Sequence, residues 1–157
     1  MAESAGGGGA RSGAARLEGI WLKSARNGPM EPVSEATLVA GKGLEGNADR
    51  GGYRQVTLLD ADAWEAATRE LGVDVNPAAR RANLLVRGVD FCETADRVLR
   101  IAGCRIRIRG ETLPCGRMEE AAPGLQAALA PDWRAGAYGM VLEGGLLALG
   151  DTVAWES

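Results

Sequence analysis

The sequence predicts a mainly β (α+β) fold: a β-barrel with one or two short helices. Three observations lead there. Short apolar segments, some alternating with a period of two, recur along the chain and end in glycine turns; 23 of the 157 residues are glycine. Sustained helical periodicity is confined to one clear stretch, "DADAWEAATRELG". No fixed-period repeat is present, which sets aside solenoids and propellers.

"LEGIWL" (17–22) reads as a first strand and "VSEATLVA" (33–40) as a second. Between them "KSARNGPMEP" is a loop, marked by Asn-Gly and two prolines. "GKGLEGNADRGG" (41–52) holds too much glycine for helix or regular strand. "YRQVTLL" (53–59) is a third strand leading into the helix. There Asp62 and Glu65 resemble a capping box and Gly72 supplies the stop, while Trp64, Ala67 and Leu71 share a face.

"ANLLVRG" (82–88) and "DRVLRIAG" (96–103) are two more short strands. "CRIRIRG" alternates strictly: Cys104, Ile106 and Ile108 face one way, Arg105, Arg107 and Arg109 the other. Beyond a loop around Cys115, "APGLQAALA" (122–130) is a short helix with Pro123 at its start. Strands "AYGMVL", "LLAL" and "TVAWE" close the chain, separated by "EGG" and "GD" turns.

Composition narrows the function. With 46% hydrophobic and 25% charged residues, the chain suits one soluble domain, read as residues 16–157. Residues 1–15, rich in glycine and alanine, are expected to be a disordered tail, and they lack the apolar core of a secretory signal. No apolar run approaches the roughly 18 residues that cross a bilayer, so no membrane partner is expected. A net charge of −3 argues against general nucleic-acid binding. Histidine is absent, which removes Ser-His-Asp and Cys-His catalysis and imidazole zinc sites. Three cysteines, with no C-x-x-C pair, do not make a disulfide framework; a cytoplasmic location is the expectation.

Two motifs have plain readings. "GKGLEG" has G-x-G-x-x-G spacing, but a dinucleotide loop must open a helix, and here more loop and a strand follow. Its glycines are expected to serve positive φ or close backbone approach. The arginine stripe reads as the solvated outer face of a strand. Cys104 belongs to the core, and Cys92 in "VDFCET" leans the same way.

"ETLPCGRMEE" (111–120) is different. Leu113-Pro114-Cys115-Gly116 forces a turn, and no alternation runs through it. Arg117 would favour the nucleophilic, metal-binding thiolate; Glu111 and Glu119 oppose that, but are placed to carry protons. Local sequence alone leaves Cys115 either functional or incidental.

Read together, "KGLEGNADRGGYRQVTLLD", "ARRANLLVRGVDF", "LRIAGCRIRIRGETLPCGRMEEAAPGLQAAL" and "GAYGMVLEGGLLALGDTVAW" resemble a MOSC domain. This is the domain named for the C-terminal part of molybdenum cofactor sulfurases and also found as small stand-alone bacterial proteins. The resemblance runs from about Leu17 to Trp155, in the family's order and spacing. It implies a β-barrel like the small barrel domain of pyruvate kinase. It also implies that Cys115 is the family's thiol, which either carries sulfur or ligates molybdenum of molybdopterin. A soft thiolate suits both tasks.

The resemblance implies further site residues. Lys23 and Ser24 match the lysine and serine that hold the cofactor in the reductase branch. Arg81 and Asn83 match that branch's Arg-x-Asn, an arginine for phosphate with an amide beside it. Asp49-Arg50 corresponds to the family's G-x-x-G-D-R-H segment, with two residues inserted and the histidine missing; Arg54 competes with Arg50 for the basic role. Arg117 joins this cofactor set. Arg81 is expected to point into the barrel mouth, and its neighbour Arg80 elsewhere.

Three roles follow. An enzyme would reduce N-hydroxylated substrates at bound molybdenum, drawing electrons from a separate electron-transfer protein. A carrier would hold persulfide sulfur or cofactor on Cys115 and exchange it with donor and acceptor proteins. A plain binding module would have only a redox-sensitive thiol. Pyridoxal phosphate, tied to a separate aminotransferase-like domain in the larger sulfurases, is not expected.

Overall fold

The computed structural model describes residues 15–48 and 51–157. In chain order these form β1 (Arg16–Leu22), β2 (Glu31–Val33), β3 (Glu35–Val39), β4 (Gly43–Leu44), β5 (Val56–Asp60), α1 (Ala61–Leu71) and β6 (Leu84–Arg87). Then come β7 (Val98–Ile101), β8 (Cys104–Glu111), α2 (Gly116–Ala121), α3 (Leu125–Ala128), β9 (Ala137–Glu143), β10 (Gly145–Ala148) and β11 (Val153–Trp155). Single 3-10 turns at Pro77–Arg80 and Pro131–Trp133 precede β6 and β9. Residues 1–14 of the expected tail, together with Asp49 and Arg50, lie outside the described residues.

The architecture is mainly β, with a few short helices. One mixed sheet runs β11-β7-β8-β9-β5-β6-β1-β2, and a smaller one runs β10-β3-β4. The large sheet is not a continuous ring. It curls far enough for β1 to meet the approach to β11: Arg16 bridges Thr152, and the Val153 amide donates to the Ala15 carbonyl at 3.0 Å. Beside that bridge the Leu17 amide donates to the Asp151 carbonyl at 2.9 Å and the Gly150 amide to the Leu17 carbonyl at 2.8 Å.

β5 and β6 are parallel, joined through α1, and both of their faces are buried. Leu58, Leu84 and Val86 enter the core inside the curl, with Leu17, Ile20, Phe91, Ile106 and Ile108. Leu59 and Leu85 face outward into a second core with Trp64, Ala67, Met118, Leu125 and Leu129 of the helices. This is why the apolar residues Leu58-Leu59 and "LLV" are consecutive, whereas β8 alternates.

The stop of α1 is as expected: Gly72 is left-handed at φ 67° and its amide donates back to Arg69. Its start differs. Asp60 is the cap, accepting from the Asp62 amide at 2.9 Å, because Asp62 and Glu65 are drawn to Arg87 instead. The helix α2 went unread in the sequence: at six residues it is too short to show a period, and it is fixed by burial of Met118. In the glycine loop, a Cβ on Gly43 would come within 2.1 Å of the Gln55 carbonyl oxygen; close approach requires glycine there.

Candidate functional site

A cleft of about 370 Å³ opens where five segments converge: the ends of β1, β4 and β8, and the approaches to β5 and β6. Lys23, Arg54, Arg80, Arg81 and Arg117 line it, together with Cys115. No Asp or Glu lines it among the described residues. An acidic chain has thus collected five cations and a thiol in one concavity, which favours an anionic ligand.

Cys115 sits at the head of α2 and is exposed, unlike buried Cys104 and half-buried Cys92. Burial pushes both of the other thiols up from their usual range, Cys92 with help from Asp90 and other acids, Cys104 with help from Asp151. Arg117 is exposed, two residues beyond the thiol. Arg54 lies over the Tyr138 ring at 4.9 Å.

Arg81 lines the cleft, but not through strand alternation. The 3-10 turn ends on it in the left-handed conformation, φ 64°, and its Nη2 donates to the Gly28 carbonyl at 2.6 Å. Because the backbone reverses there, Arg80 enters the cleft as well, which corrects the expectation that it points elsewhere. Arg80 Nε donates to the Ala135 carbonyl at 2.7 Å and Nη2 to the Leu113 carbonyl at 3.2 Å. Burial lowers its pKa, Cys115 opposes this and Arg54 adds to it. The "NPAAR" stretch held the signal: Asn76 caps the turn through the Ala78 amide, and Pro77 begins it.

Asn83 is 6% exposed, and its amide is fully engaged by protein. Oδ1 accepts from the Thr57 amide at 3.1 Å and the Thr57 hydroxyl at 3.2 Å; Nδ2 donates to the Trp21 carbonyl and to Asn47 Oδ1. Its place is structural, tying β1 to β5 beneath the cleft, so it has no hydrogen bond left over for a ligand. Lys23 reaches the cleft, while Ser24 is exposed and does not line it. Glu111 and Glu119 do not line it either, and Glu119 accepts from the Gly124 amide. The arginine stripe lies outside: Arg105 pairs with Glu156 and Glu143, Arg109 with Asp96.

Among the described residues, no group of three His, Cys, Asp or Glu side chains can hold a metal ion. A metal at Cys115 would have to arrive with most of its ligands, as part of an organic cofactor. The cation set, the single thiol and the cleft volume fit such a group. No helix in the described residues is long and apolar enough to cross a membrane.

Solved structures share this fold. The YuaD protein from Bacillus subtilis superposes with a TM-score of 0.73 at 18% identity, covering 89% of this chain and 94% of that one. YiiM from Geobacillus stearothermophilus gives 0.70 at 15% identity, over 91% of this chain and 75% of that one. YiiM from Escherichia coli gives 0.66 at 17% identity, over 90% and 70%. No curated protein matches the sequence significantly. The sequence pattern of the MOSC domain matches residues 45–154, a span that takes in most of the glycine loop, the arginine pair and the Cys115 turn, and the chain belongs to that family.

Proposed function

We propose that this protein binds a phosphate-bearing pterin cofactor carrying molybdenum, with Cys115 as a protein ligand to the metal. The observation that carries this reading is the meeting of five cations and an exposed thiol in a cleft with no carboxylate among its described residues. The family's link to molybdenum cofactor and sulfur handling agrees with it. Arg81 and Arg117 would fork onto phosphate oxygens, Lys23 and Arg54 would neutralise the remaining charge, and Arg80 would hold the thiol turn in place. Bound molybdenum would supply the two-electron chemistry that reduces an N-hydroxyl group to amine and water, consuming two protons and two electrons from a separate donor protein.

The exposure of Cys115 favours a second reading, that of a sulfur carrier. There the Cys115 thiol takes the outer sulfur of a donor persulfide, R–S–SH, giving Cys115–S–SH and R–SH, and the reverse exchange delivers it to an acceptor. Purification from a host that makes molybdenum cofactor separates these roles. Stoichiometric molybdenum, lost in Cys115→Ser, supports the first. A mass increase of one sulfur atom on Cys115 without metal supports the second. Neither signal would sink both.

A further inference from the structure

The cations of the cleft are exposed or half-buried, and its fully buried polar groups are neutral. Cys115, Arg54 and Arg117 are exposed, whereas Asn47, Asn83 and Thr112 are buried. The neutral polar groups buried there nearly all have partners. The Thr57 hydroxyl and the Asn83 amide satisfy each other, and the Thr112 hydroxyl donates to the Ala135 carbonyl. Asn47 is the exception. It is 7% exposed, and its Oδ1 accepts from the Lys23 amide at 2.8 Å and from Asn83 Nδ2 at 3.3 Å. The Lys23 amide can only donate, so the orientation of the Asn47 side chain is fixed and Nδ2 is the other terminal atom. That NH2 group has no partner among the described residues. A buried donor left unpaired is costly, and one that lines a ligand cleft is where a ligand acceptor belongs.

We propose that Asn47 reads the neutral part of the ligand, donating from Nδ2 to a carbonyl oxygen or ring nitrogen of a heterocycle whose phosphate lies among the cations. This rests on the proposed binding of a phosphate-bearing pterin and deepens it: charge selects for phosphate, and Asn47 selects for the heterocyclic amide. Asn47→Asp isolates the role. It keeps the oxygen that accepts from Lys23 and Asn83 and replaces the donor with a second acceptor.

The experiment titrates a fluorescent pterin monophosphate and inorganic phosphate against the unsubstituted protein and Asn47→Asp, at matched salt. The new charge weakens both probes, so the ratio of the two affinities is the readout. It should fall at least tenfold, with cooperative unfolding retained. An unchanged ratio in the folded variant overturns the inference. If the variant does not fold, the side-chain amide signals of Asn47 in the 15N-labelled unsubstituted protein decide. They should shift and exchange more slowly on adding pterin monophosphate and stay put with phosphate; no response to either overturns the inference. The wider reading fails differently. An unsubstituted protein that binds pterin monophosphate no better than phosphate sinks the cofactor proposal and this inference with it, whereas a preference that survives Asn47→Asp sinks this inference alone.

Discussion

Arg80 reaches across 33 residues of sequence to donate to the carbonyl of Leu113, two positions before Cys115. The same guanidinium holds Ala135 through Nε, so one side chain fastens the thiol turn to the root of β9. Lysine keeps the charge but cannot serve both carbonyls from one plane. Arg80→Lys should therefore lower unfolding stability by about 1–2 kcal/mol and weaken binding of pterin monophosphate severalfold. Urea unfolding and fluorescence titration measure the two effects. If neither changes, Arg80 is not a positioning residue.

Cys115→Ser should remove bound molybdenum or persulfide while leaving the unfolding midpoint within about 0.5 kcal/mol, since an exposed side chain contributes little packing. Cys92→Ser should leave loading intact. Equal losses from both substitutions would misplace the site.

Brief treatment with iodoacetamide at neutral pH should give a single adduct, on Cys115. Cys104 is buried and Cys92 half-buried, and both thiols are pushed up, away from the reactive thiolate. Peptide mapping that finds Cys92 or Cys104 alkylated first contradicts the burial order.

Binding of pterin monophosphate should weaken roughly tenfold between about 0.05 and 0.5 M NaCl, because exposed charges are screened. Arg117→Gln should reduce both the affinity and that salt slope. A salt-independent affinity would mean the cations do not hold the ligand.

Arg87 gathers Glu18, Asp62 and Glu65, and its hydrogen bond is the main reason the Glu65 carboxyl titrates below its ordinary 4.5. A depressed carboxyl stabilises the fold above its unfolded value and loses that contribution as pH falls through the folded value. The stability gap between Arg87→Gln and the unsubstituted protein should thus be widest near pH 7 and narrow as pH falls below 4.5, while remaining small because Glu65 is half exposed. A gap that is constant with pH would mean that packing, not charge, is lost.

Much of the sheet was legible because alternation in β8 and the apolar runs of β5 and β6 directly report which faces are buried. The site was half legible. Cys115 stood out as a thiol in a turn, and Arg81 and Lys23 came through resemblance. Arg80 was misread because alternation was carried through a residue that sits at positive φ. Asn47 and the structural role of Asn83 were invisible, since their meaning lies in partners 24 to 62 residues away. Such pairings are set by how the sheet curls, which local pattern does not encode.

The amide of Val153 rests on the carbonyl of Ala15, so the starts of β1 and β11, the first and last strands among the described residues, lie side by side. A host polypeptide can accept it as an insert in a surface loop, with little distance to span at the junction. Joining Ala15 to the end of β11 with a short linker would likewise allow new termini elsewhere without disturbing the cleft. A unit closed in this way can be carried between larger assemblies, because its first and last strands share one seam.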